Sequence, residues 1–118
     1  MKVLIIDDNE NITSLLSTFL QSKGFDNVIT NDSKDGLELI QEEKYDVVLL
    51  DLQMPELSGL DIIKKLEEQK ILQDQKIVIL SASAYSTKKI DGLLKKDGVQ
   101  QYLKKPVKLN QLLTAMAC

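Results

Sequence analysis

The sequence predicts an α/β protein, a doubly wound parallel sheet of five strands with five helices on its two faces. Three observations lead there. The runs Val3-Leu4-Ile5-Ile6, Val47-Val48-Leu49-Leu50 and Ile77-Val78-Ile79-Leu80 are apolar at every position, as strands buried on both faces are. Between such runs lie stretches with apolar residues at helical spacing. The two patterns alternate along the chain, which is the order that right-handed crossovers between parallel strands require.

The elements follow in order. The first strand, residues 3–6, stops at Asp7-Asp8. Ile12, Leu15, Leu16, Phe19 and Leu20 then fall at i, i+3, i+4, i+7 and i+8, one face of a first helix. Residues 27–30 make a weaker strand suited to a sheet edge. Leu37 and Ile40 stripe a second helix, for which Ser33 is the expected N-cap. The third strand, 47–50, runs into Asp51, and Ser58-Gly59-Leu60-Asp61 has the form of a capping box before Ile63 and Leu66 of a third helix. The fourth strand, 77–80, leads into Ser81-Ala82, and Ile90, Leu93 and Leu94 mark a fourth helix. A second edge strand over 98–103 runs into Lys104-Lys105-Pro106, and Leu109, Leu112, Leu113 and Met116 mark the fifth helix.

Composition narrows the function. A chain of 118 residues, 43% apolar and 28% charged, fits one globular domain over 1–118. Its longest apolar runs are about four residues, against roughly 18 for a membrane span, and the first of them ends at two aspartates. A cytoplasmic protein with no membrane partner is expected. The lone Cys118 allows no intrachain disulfide and no thiolate metal site. All 15 positive charges are lysines, so no guanidinium fork for phosphate exists, and without histidine the chain cannot carry a phosphohistidine. A net charge of -3 supplies no overall attraction for nucleic acid.

Open α/β sheets bind ligands beyond the carboxyl ends of their strands. Here those ends carry Asp7-Asp8, Asp51, Ser81 and Lys105, and no glycine-rich phosphate loop is present. Two carboxylates about 4 Å apart repel by roughly 4 kcal/mol at an effective dielectric near 20. A cluster of three therefore calls for a cation or a raised pKa. A few carboxylates with water suit Mg2+, whereas zinc prefers histidine or thiolate ligands.

These residues resemble a response-regulator receiver domain of two-component signalling. The resemblance rests on Leu4-Ile5-Ile6-Asp7-Asp8, Asp46 through Pro55, Ser58-Gly59, Ile79-Leu80-Ser81-Ala82 and Tyr102-Leu103-Lys104-Lys105-Pro106. It implies a flavodoxin-like strand order of 2-1-3-4-5 and a phosphorelay switch in which Asp51 accepts a phosphoryl group. It further implies that Asp8 ligates Mg2+ directly, that Asp7 acts mostly through water, and that Asp51 and the Gln53 backbone carbonyl complete the metal set. Ser81 and Lys105 are implied to engage the phosphoryl oxygens, Lys105–Pro106 to be cis, and Tyr102 to follow Ser81 as an aromatic switch. Gln53 and Ser83 stand where the family tunes dephosphorylation.

The implied partners are a histidine kinase or phosphotransfer protein as donor, and an output partner or dimer mate on the fourth helix, fifth strand and fifth helix. That face carries Lys88, Lys89, Lys95, Lys96, Lys104 and Lys108, a docking surface for an acidic partner or an ordinary solvated one. Such a domain assists its own phosphorylation and dephosphorylation but is not a turnover enzyme, and it does not itself bind nucleic acid. Two other readings stay open. A pseudo-receiver would bind proteins without phosphorylation. A magnesium-dependent phosphatase would place its nucleophile after the first strand with a second aspartate two residues on, whereas Asp7 and Asp8 are adjacent. The early stop of the fifth helix at Met116-Ala117-Cys118 suits either a single-domain receiver or one cut from a larger regulator.

Overall fold

The computed structural model describes residues 1–82 and 85–117; Ser83, for which a tuning role is expected, and Cys118 lie outside the described residues. Each apolar run forms a strand, because β-branched side chains buried on both faces favour an extended backbone. The strands are β1 (Lys2–Ile6), β2 (Asp26–Thr30), β3 (Val47–Asp51), β4 (Ile77–Ser81) and β5 (Val99–Lys104). All pair in parallel, in the order β2-β1-β3-β4-β5. Every residue of β3 and β4 is buried, while β2 and β5 at the edges are partly exposed.

The helices are α1 (Glu10–Ser22), α2 (Ser33–Glu42), α3 (Gly59–Glu68), α4 (Thr87–Leu94) and α5 (Leu109–Ala117). Helices α1 and α5 close one face over Val3, Ile5, Val47, Leu49, Val78 and Leu80. Helices α2, α3 and α4 close the other over Leu4, Ile6, Val48, Leu50, Ile77 and Ile79. Alternate residues of each central strand thus enter separate cores, so the runs had to be apolar throughout.

Three details differ from expectation. Asp32 caps α2, its carboxylate accepting from the Lys34 and Asp35 N–H groups, because its backbone is extended and Ser33 already lies inside the helix. Ser33 is instead buried and donates to the Pro55 carbonyl at 3.3 Å. Leu15 is 59% exposed although it keeps helical spacing with buried Leu16 and Leu20. It sits at the rim of the stripe, and Thr13 occupies the buried position there. The last strand begins at Val99, since Gly98 has φ +99° and bends the chain into it. The expected capping box on α3 is present, with Ser58 and Asp61 each accepting from the other's N–H.

Gly98 also meets a close approach. A Cβ there would lie 1.8 Å from the Leu72 carbonyl oxygen, so Gly98→Ala combines a left-handed backbone with a main-chain clash. Its expected cost is about 3 kcal/mol or more. Gly24, at φ +83° with nothing near its Cβ position, isolates the backbone effect, and Gly24→Ala should cost about 1 kcal/mol. Urea midpoints of the two variants check the difference; equal losses would contradict it.

Candidate phosphoacceptor and metal site

The sheet register assembles the site. Ile6 pairs with Leu50, so the next residues, Asp7 and Asp51, leave neighbouring strands at the same level. On the other side Asp51 pairs with Leu80, one residue before Ser81, and Ser81 pairs with Lys104, one residue before Lys105. The Lys105 N–H donates to the Ser81 carbonyl at 2.8 Å, and the Lys105–Pro106 bond is cis. Sequence separation is erased here: Lys105 lies 98 residues from Asp7, yet its Nζ sits 2.7 Å from Asp7 Oδ2 and 3.4 Å from Asp51 Oδ1.

Asp7 and Asp51 are buried and Asp8 is exposed. One carboxylate oxygen from each of Asp7, Asp8 and Asp51 lies within 4.8 Å of the others. Burial, and then the charge of Asp7, push the Asp51 carboxyl from an ordinary 3.8 up to about 6; Lys105 and the Gln53 N–H pull against them. The Gln53 N–H donates to Asp51 Oδ1 at 3.3 Å, which places the Gln53 backbone in the loop beside Asp51.

The donor set suits a hard divalent cation. Its oxygens are carboxylates, and three negative charges less the one of Lys105 leave -2, the amount one such ion neutralises. Bound there, Mg2+ supplies charge neutralisation and a fixed orientation for incoming oxygens.

Three further residues shape the site. The Asn9 N–H donates to Asp7 Oδ1 at 3.0 Å while its side chain caps α1. The Asn31 side chain donates to the Asp7 carbonyl. A Cβ on Gly59 would lie 2.4 Å from the Asp51 carbonyl oxygen, so α3 starts against the end of β3 with no side chain between. Asn9 was detectable as a cap residue just before a helical stripe; Asn31 was not, because its partner lies 24 residues away, beyond the end of a different strand.

Of the remaining expected residues, Ser81 is fully buried at the end of β4. Tyr102 pairs with Ile79 and packs half-buried against the core under α2, α3 and α4. Lys88, Lys89, Lys95, Lys104 and Lys108 are exposed; Lys89 lies over the Tyr85 ring, 5.0 Å from its centre. Lys96 is engaged by Glu67 at 2.8 Å, so this face offers a less continuous positive surface than its lysine content suggests.

Comparison with known proteins points to one family. A sequence model of the family described as the response regulator receiver domain matches residues 3–117. The transcriptional regulatory protein DltR of Streptococcus agalactiae is 33% identical over 113 residues, which cover 96% of this chain and 49% of that protein. The chain thus spans about half the length of that regulator. The receiver domain of a Francisella response regulator superposes with a TM-score of 0.85 at 35% identity, over 98% of this chain and 93% of that one. The response regulator TrrA of Thermotoga maritima, in complex with Mg2+–BeF, does so with a TM-score of 0.83 at 26% identity, over 98% and 96%. Among the described residues no helix is long and apolar enough to cross a membrane.

Proposed function

The chain belongs to the response-regulator receiver family, a family of signalling switches rather than turnover enzymes, and from that premise we propose that it is a magnesium-dependent phosphorelay switch with Asp51 as phosphoacceptor. The observation that carries the proposal is the joint placement of Asp7, Asp8, Asp51 and Lys105 at the carboxyl ends of the strands. The Asp51 carboxylate lies beside both a metal-suited acidic pair and the Lys105 ammonium group.

In the proposed transfer an Asp51 carboxylate oxygen forms the new bond to phosphorus. The bond from phosphorus to the donor breaks, and its electron pair leaves with the donor. In a histidine-free chain the donor comes from outside, as a phosphohistidine on a partner protein or a small phosphodonor. Transfer of this kind depends on positioning and on neutralising the equatorial oxygens, tasks that fall to Asp8, the Gln53 carbonyl and Lys105. Asp7 holds Lys105 in place and, through water, the metal.

The signal would follow from charge. Two new charge-assisted hydrogen bonds, to Ser81 and Lys105, contribute roughly 3–6 kcal/mol before costs, against about 5.5 kcal/mol needed to turn a 1:99 equilibrium into 99:1. Movement at Ser81 reaches Tyr102 on the adjacent strand, and the face formed by α4, β5 and α5 becomes the readout for an output partner or dimer mate.

Incubation with Mg2+ and acetyl phosphate, followed by intact mass measurement, tests this. The mass of one phosphoryl group should be gained, and excess EDTA should abolish the gain. No gain in either condition would leave a protein-binding module of the same fold.

A further inference from the structure

Asp7 is gripped at four points. Its N–H donates to the Thr30 carbonyl at 3.2 Å, and its two carboxylate oxygens accept from the Asn9 N–H and from Lys105 Nζ. The fourth grip is on its main-chain carbonyl. Asn31, in the turn between β2 and α2, donates its amide to that carbonyl at 2.8 Å and to the Thr13 hydroxyl at 3.0 Å.

The Asp7 carbonyl belongs to the same planar peptide unit as the Asp8 nitrogen. Its orientation therefore fixes where the Asp8 Cα sits, the point from which the Asp8 side chain reaches toward the site. Asp8 is the exposed member of the acidic trio, without the packing that confines buried Asp7 and Asp51. Thr13 is buried on α1 and donates onward to the Glu10 carbonyl at 3.1 Å, so Asn31 ties the peptide to the first turn of that helix.

We propose that Asn31 is a positioning residue for the metal site: its bridge from the Asp7 carbonyl to the Thr13 hydroxyl fixes the peptide that places Asp8. The inference rests on the magnesium reading of the trio. Groups that orient metal ligands without touching the metal commonly change affinity by about 10–100-fold when removed. Asn31 is itself exposed, so its replacement removes two hydrogen bonds without opening the core.

Calorimetric titration of the metal-free protein with Mg2+ alone gives the test, on the parent, Asn31→Ala and Asn31→Leu, the last being close to Asn in shape but unable to donate. Both variants should raise the Kd for Mg2+ about tenfold or more, while far-UV spectra and melting in EDTA show that each is folded at the titration temperature. A Kd within about twofold of the parent's overturns the positioning role. A parent that takes up no Mg2+ overturns the magnesium reading and this inference with it.

Discussion

Asp51→Asn is expected to abolish phosphorylation and, in the absence of metal, to make the protein more stable. The first effect follows because an amide is no nucleophile toward phosphorus. Intact mass after exposure to Mg2+ and acetyl phosphate should show no added phosphoryl group; undiminished labelling would move the acceptor to another residue.

The second effect follows from linkage. Asp51 has a carboxyl raised to about 6 in the folded protein from an ordinary 3.8. Between those values the folded state holds a proton that the unfolded chain releases. The stabilising contribution is thus complete below pH 3.8 and lost as pH rises through about 6. Above that, the buried charge costs roughly 2 to 3 kcal/mol, about two pH units at 1.36 kcal/mol each. In EDTA at neutral pH, Asp51→Asn should exceed the parent in urea stability by about that amount, and the gap should shrink toward pH 4. A gap that is absent, or independent of pH, would count against a strained acceptor.

Lys105→Met should have the opposite sign and a comparable size. The methionine keeps an unbranched stem but removes the ammonium from between Asp7, fully buried, and Asp51. Leaving buried carboxylates without their partner commonly costs about 3–5 kcal/mol, and in EDTA the variant should lose about that much. Because Lys105 and a bound divalent cation would neutralise the same acidic cluster, the variant should bind Mg2+ more tightly than the parent. At a hundredfold excess over Kd the metal returns about 2.7 kcal/mol. Urea midpoints of variant and parent, each with and without Mg2+, test this. An identical loss in both conditions would mean that Lys105 matters through packing rather than charge.

The legible parts of the site were those written locally. Asp7, Asp8, Asp51, Ser81 and Lys105 each lie within two residues of the end of a strand-forming run, so their place at the strand ends follows from the pattern. The capping box at Ser58 and Asp61 lies within four residues and was equally readable. Local pattern is also where error entered. Ser33 and Asp32 are both good cap residues, and backbone conformation chose Asp32. Leu15 keeps helical spacing, yet the breadth of the covered stripe left it in water.

By itself the sequence determined the alternation of strands and helices, the burial of β1, β3 and β4 on both faces, and the polar residues delivered to the strand ends. These follow from periodicity and hydrogen bonding within a few residues. Only the tertiary structure decided which strand ends meet. It set β1 beside β3, brought Lys105 to within 2.7 Å of Asp7 and placed Asn31 on the Asp7 carbonyl. Those contacts depend on how five strands share one sheet and two cores. A partner 98 residues away leaves no trace in local spacing, because its position is set by the packing of everything between.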